Sequence, residues 1–113
     1  MTICKPFNVI VVPFPFTDLS KSKKRPALVV STEKFQKSNG YISLLMITTA
    51  KNSKWFGDLL ISDLAETGLS VSSYVRQKIF TIDSRLIEKQ IGRLSKNDIK
   101  KIKLSFHGCI EAS

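Results

Sequence analysis

The stretch YISLLMITT, residues 41–49, is apolar at odd and even positions alike. A strand with one wet face cannot carry that pattern, so the segment must be covered on both sides, as the central strand of a sheet or inside a closed barrel. The other apolar runs are short enough to build around it. Val9 to Val12 is β-branched throughout and stops at Pro13, which cannot donate to a ladder, so a strand should give way to a loop there. That loop runs through PFPFTD and on to Lys24, and a second strand starts at Ala27, just after Pro26. Thr32 can cap a short helical turn over residues 33–37, and Ser38-Asn39-Gly40 reads as a turn. Residues 51–54 form a polar loop, and strands are expected at 57–61, 73–76 and 79–82, with a turn at Gly68. Five or six short strands with polar connections predict a small barrel.

Near the carboxyl end the period changes. Ser95 followed by Asp98 resembles a capping box, and Ile99, Ile102, Phe106, Cys109 and Ile110 mark one helical face. A terminal helix should therefore pack on the barrel. Each large apolar side chain it buries contributes about 1.5–3 kcal/mol. Lys96, Lys100, Lys101 and Lys103 fall mainly on its other faces and read as solvated, with a nucleic-acid contact as the lesser reading.

At 113 residues the chain is read as one domain spanning 1–113. No apolar run approaches the roughly 20 residues of a membrane span, and the first residues lack the pattern of a secretion signal, so the expected location is cytoplasmic. Cys4 and Cys109 form no CxxC, and with His107 the sole histidine no metal site and no cofactor is expected. The two thiols read as reduced and structural, with a disulfide between the ends as the alternative. Eighteen Lys and Arg against nine Asp and Glu give a net charge of +9, which suits a polyanionic partner such as nucleic acid, an acidic protein or an anionic membrane surface.

The most informative stretch is VVPFPFTDLSKSKKRPALVV, residues 11–30. A soluble hairpin is the plain reading. Against it, the prolines stiffen a backbone that presents Phe14 and Phe16, and exposed rings offer bases a stacking surface. Lys21, Lys23, Lys24 and Arg25 then supply phosphate contacts beside those rings, and Pro26 fixes the planar Arg25 guanidinium at the mouth of a strand. The residues themselves point to single-stranded nucleic acid.

This stretch, with LLMITTAKN and GLSVSSYVRQKIFTID after it, resembles in order and spacing the MazF/PemK family of toxin endoribonucleases from type II toxin–antitoxin systems. The resemblance implies an SH3-like β-barrel with short helical turns and a C-terminal helix, a homodimer, and metal-independent cleavage of single-stranded RNA through attack by the 2′-hydroxyl. It also implies a cognate antitoxin. Carried over by position, the catalytic pair falls on Arg25 and Thr48, with Thr49 competing for the second place. Strand alternation sets Thr48 with Leu44 and Met46, and Thr49 with Leu45 and Ile47. The RNA-binding set is Pro13, Phe14, Pro15, Phe16, Thr17, Lys23, Lys24 and Thr49, joined by Arg76 and Gln77, for which a polar edge strand is an equal reading. Arg25 suits charge stabilisation but makes a poor base, because a guanidinium stays protonated far above neutral pH. His107 lies outside every matching motif and reads as a surface or packing residue. Asp83 with Ser84 reads as a tight turn, and Trp55 and Phe56 as packing or dimer contacts ahead of base stacking. Phe7-Asn8 stands where the family commonly has Gly-Asp, and Phe80 where arginine is frequent. Two other functions compete: a CcdB-like inhibitor of DNA gyrase on the same fold, and an RNA-binding module without turnover.

Overall fold

The computed structural model describes residues 2–14, 23–51 and 54–111. In chain order the elements are β1 (Asn8–Phe14), β2 (Lys23–Val29), α1 (Glu33–Asn39), β3 (Tyr41–Thr49), β4 (Leu59–Leu60), β5 (Ser73–Asp83), a 3₁₀ turn (Ser84–Leu86), β6 (Lys89–Arg93) and α2 (Lys96–Cys109). The strands form one antiparallel sheet in the order β4-β5-β3-β2-β1-β6. β3 lies inside the sheet and is covered on both faces, as its sequence demands.

Two apolar clusters occupy the opposite faces. One gathers Ile10, Val12, Ala27, Val29, Ile42, Leu44 and Ile82 with Cys4; the other gathers Val9, Leu28, Leu45, Ile47, Val75 and the α2 residue Ile102. The register explains the division, since the directly opposed pairs Ile10↔Ala27 and Val29↔Leu44 serve the first cluster while Val9↔Leu28 and Leu28↔Leu45 serve the second. The sheet is strongly curled. Phe14, at the end of β1, comes within 6.0 Å of the Phe80 ring on β5, although β2 and β3 stand between these strands in the sheet. The gap between the outer strands is spanned by the turn over residues 62–69, which lies on β6. Gly68 (φ 76) and Gly92 interlock there: a Cβ on Gly68 would strike the Ile91 carbonyl, and one on Gly92 the backbone of Glu66 and Thr67.

The helices are tied down by the caps their sequences announce. Thr32 accepts from the Phe35 N–H and Ser95 from the Asp98 N–H. Buried Gln36 of α1 brackets the Cys4 peptide, accepting from its N–H at 2.8 Å and donating to its carbonyl at 2.7 Å, so the N-terminal segment is held on the first core. Asp98 is buried and accepts from the Ser62 and Asp63 N–H groups and the Ser62 hydroxyl, which fixes α2 to the segment after β4. Burial would raise its pKa, but those donors outweigh it and hold the carboxyl below the usual range. Asp83 caps the 3₁₀ turn, where the Arg85 guanidinium holds its carboxyl down to about 2. Both cysteines are free thiols; Cys4 is buried, which pushes its pKa up.

Several boundaries differ from expectation for identifiable reasons. β1 does not end at Val12 but runs through Pro13 and Phe14, paired with Lys24 and Lys23 of β2. The Glu88 N–H donates to the Val11 carbonyl on the β6 side, so by alternation the nitrogen of Pro13 also faces that side. β6 pairs with β1 no further than Val11, so the missing donor costs the ladder nothing. The strands expected at 73–76 and 79–82 are one element, in which Gln77 and Lys78 are extra residues between the pairs Met46↔Arg76 and Leu45↔Ile79. The strand expected at 57–61 contracts to Leu59–Leu60. β6, KQIGR, went unread because only Ile91 in it is a strand-forming apolar residue.

Candidate functional site: a cleft where two strands part

Pro26 decides where the site lies. The Val30 N–H donates to the Ser43 carbonyl, so on β2 the even-numbered backbone groups face β3. Pro26 is even and has no N–H. The β2–β3 ladder accordingly ends at Ala27↔Met46, while β2 continues to pair with β1 out to Lys23. The strand expected to start at Ala27, just after Pro26, therefore starts earlier on the β1 side, at Lys23, and at Ala27 only on the β3 side.

Past Ala27 the two strands separate around a cleft of about 300 Å³. Lys24, Arg25 and Pro26 form one wall, Ile47, Thr48 and Thr49 the other, and Gly68 to Val71 closes it from the turn that spans the sheet's edges. Continuing the β2–β3 register sets Arg25 across the opening from Thr48 and Pro26 across from Ile47, so Arg25 and Thr48 lie on the same face. Arg25 and Thr49 are exposed, and Thr48 is half-buried. Lys24 is ion-paired with Glu88 at 3.5 Å across a solvent-exposed gap, a contact worth little in stability. The result is a small opening over a largely apolar lining, with hydroxyls on one wall and a guanidinium on the other, which suits an anionic group with several oxygens.

The other sequence-predicted residues are distributed differently. Lys23 is exposed opposite Phe14, and Pro13 is buried opposite Lys24. Phe14 is half-buried, packed against Phe80 with the Lys78 ammonium 5.2 Å from its ring. Pro15, Phe16 and Thr17 lie outside the described residues.

Arg76 and Gln77 do not join the cleft. Arg76 is buried and grips Asp58 through two nitrogens, Nε to Oδ1 at 3.1 Å and Nη2 to Oδ2 at 2.8 Å. The Trp55 ring stacks over its guanidinium at 4.5 Å, and the Trp55 backbone N–H donates to the same carboxylate at 2.8 Å. Burial would raise the Asp58 pKa, but Arg76 and the Trp55 N–H outweigh it and keep the carboxyl ionised below its usual range. Gln77 turns to α2, where its Nε2 lies 3.4 Å from the Ser105 hydroxyl. β5 is paired on both sides at Tyr74 and Val75, so there it is not an edge strand. The Asp58–Arg76–Trp55 cluster was not foreseen, because a single sequence gives no sign that residues 58 and 76 meet. The third wall of the cleft was missed for a similar reason, since Gly68 announces only a turn.

The architecture has close counterparts among solved structures. An endoribonuclease from a mycobacterial species, in complex with its cognate antitoxin, is similar with a TM-score of 0.74 at 12% identity, over 96% of this chain and 99% of that one. A MazE–MazF structure from Deinococcus radiodurans is similar with a TM-score of 0.74 at 14% identity, over the full length of both chains. The Mycobacterium tuberculosis toxin MazF-mt6 gives 0.69 at 20% identity, over 89% of this chain and 93% of that one. Identities this low carry the fold alone. No curated protein sequence matches the chain. The family model for PemK-like, MazF-like toxins of type II toxin–antitoxin systems does match, over residues 5–107. The chain therefore belongs to the PemK/MazF family of toxins.

Proposed function

We propose that this toxin is a sequence-selective endoribonuclease that cleaves single-stranded RNA, mRNA above all, without a metal ion. The observation that carries the reading is the cleft opened by Pro26, which Arg25 and Thr48 line from opposite strands. In the proposed step a ribose 2′-hydroxyl gives its proton to solvent as its oxygen attacks the adjacent phosphorus, the bond to the 5′-oxygen breaks, and that oxygen takes a proton from solvent. The products are a 2′,3′-cyclic phosphate and a 5′-hydroxyl. Arg25 neutralises charge building on the non-bridging oxygens, and Thr48 donates a hydrogen bond to the same phosphate. Among the described lining residues there is no carboxylate or imidazole, so the reading assigns Arg25 to charge stabilisation rather than to proton abstraction. Lys23, Lys24 and Thr49 would hold the flanking backbone, and the net charge of +9 would draw the RNA in. The family and the two solved neighbours that contain antitoxins support a cognate antitoxin as inhibitor, and we extend the reading to a homodimer acting in the cytoplasm. Among the described residues no helix is long and apolar enough to cross a membrane.

The test is incubation of wild-type protein and Arg25→Ala with a long single-stranded RNA in EDTA, with cut sites mapped by primer extension and ends identified by mass spectrometry. Recurrent cuts ending in cyclic phosphate for the wild type, lost in the variant, support the reading. Absence of cutting by the wild type ends it and makes gyrase inhibition the next assay.

A further inference from the structure

Directly opposed residues of an antiparallel pair share a face of the sheet, so the register carries the line of the cleft beyond Thr48. Thr48 is paired with Tyr74 on β5, and Tyr74 with Leu60 on β4. With Arg25 across the opening, the line reads Arg25, Thr48, Tyr74, Leu60. Tyr74 therefore stands one strand spacing, about 5 Å, past Thr48 and on the face that Arg25 shares. Arg76 lies two residues further along β5, so it returns to that face about 7 Å from Tyr74. The Trp55 ring covers its guanidinium at 4.5 Å. Two aromatic rings, Tyr74 and Trp55, thus stand on the Thr48 side of the cleft.

Neither ring belongs to the two apolar clusters. Tyr74 is half-buried, and Trp55 keeps 44% of its surface exposed although one side of its ring meets Arg76. The turn that carries Trp55 is held firmly. Its backbone N–H donates to the Asp58 carboxylate at 2.8 Å, its carbonyl accepts from the Asp58 N–H at 3.1 Å, and the Gly57 carbonyl accepts from the Ser105 hydroxyl at 2.6 Å. A ring fixed in this way loses little freedom when another ring settles on it. The nearby charge also favours an anionic chain: the Asp58 side chain is fully buried and matched by Arg76, while Lys54 beside Trp55 is exposed.

We infer that Tyr74 and Trp55 form a base-stacking step, on which the nucleotides that flank the bound phosphate lay their rings. The inference deepens the nuclease reading and rests on it, since the phosphate that sets the position of the strand is the one held at Arg25 and Thr48. Every base has a π-face, so the step positions a strand without reading its sequence and leaves selectivity to other residues. It also favours single strands over duplexes, whose bases are already stacked on one another.

The probe is a 2′-O-methyl RNA decamer of alternating adenine and cytosine, which lacks the attacking hydroxyl and so binds without being cut; the control is an abasic strand of the same length. Binding is followed by amide shifts of isotopically labelled protein. The expected result is saturable binding, at least about tenfold weaker for the abasic strand, with the base-dependent shifts gathered at residues 54–56 and 73–76. Tyr74→Leu and Trp55→Leu should each weaken the decamer about tenfold, and Tyr74→Phe, which keeps the ring, should bind like the wild type. On a cleavable RNA, Tyr74→Leu should raise KM about tenfold with kcat within about twofold. Were Tyr74→Leu to unfold, the two probes on the wild type and Trp55→Leu carry the test. Equal binding of the abasic strand, no binding of either probe, base-dependent shifts elsewhere, or a loss in Tyr74→Phe equal to that in Tyr74→Leu would overturn the proposal. So would shifts at these residues that follow protein concentration with no probe present, the mark of a protein contact. Base-dependent binding there by a protein that cuts no RNA would sustain the stacking step and sink the nuclease reading, whereas cutting without it would sink the stacking step alone.

Discussion

Two arginines on neighbouring parts of the sheet have opposite surroundings. Arg76 is buried, locked to Asp58 by two hydrogen bonds and covered by Trp55. Arg25 is exposed at a cleft whose described lining contains no carboxylate. In the sequence both read as possible RNA contacts. What separates them is where an acid falls in three dimensions. A guanidinium matched by a buried carboxylate holds the structure together, whereas one facing hydroxyls across an opening is available to an anion from outside.

This contrast can be broken from either side. The largest expected effect belongs to the matched arginine: Arg76→Ala leaves Asp58 buried without its counter-ion and should cost about 3–5 kcal/mol, read as a lower midpoint in denaturant titration. Stability within about 0.5 kcal/mol of wild type would show that the pair does not secure the β3–β4 segment. Arg25→Ala should do the reverse, lowering RNA cleavage by about 10²–10³-fold with the denaturation midpoint unchanged. A fall in stability alongside the activity would place Arg25 among the structural residues.

Acid should sharpen the comparison further. Asp58 and Asp98 both have folded pKa values below their unfolded ones. Their contribution is therefore complete above the unfolded value near 4 and is lost as pH falls through the folded values. Asp58→Asn and Asp98→Asn should each flatten the decline of stability below about pH 4, and Arg25→Ala should leave that profile as it is. Equal flattening in all three would erase the distinction. The smallest effect is expected for Pro26→Ala, which restores an N–H toward β3. A net hydrogen bond contributes about 0.5–1.5 kcal/mol, while the freer unfolded chain opposes it by about 0.4–1. Stability should barely move, but a protected amide should appear at position 26 in hydrogen exchange as the cleft closes, and cleavage should fall. A rapidly exchanging amide there would show that something other than the proline parts the strands.

How much could be read in advance depended on whether a residue's fate was settled locally. β3, the caps at Thr32 and Ser95, and the buried face of α2 were legible, because alternation, a capping hydroxyl and helical spacing act within a few residues. β6 was not, since KQIGR becomes a strand only by pairing with β1. Lys24, Arg25, Thr48 and Thr49 were named from the chain and lie together at one cleft. Arg76 was named for the same reasons and does not, because nothing near it in the sequence reveals Asp58. The choice between Thr48 and Thr49 was open to alternation alone; the β2–β3 register, which needs both strands in place, sets Thr48 opposite Arg25.

The short β4 has a consequence for life in concentrated solution. It covers β5 only at Tyr74 and Val75, so β4 leaves the outer side of β5 beyond Val75 uncovered. Such an edge invites another chain to add itself. Two features stand in the way: the extra residues Gln77 and Lys78 kink the edge and place a charge on it, and Ser105 of α2 reaches both Gln77 and the Gly57 carbonyl. The terminal helix is thus a guard as well as a part of the core, and its fraying would bare that edge as a template for a strand of another copy.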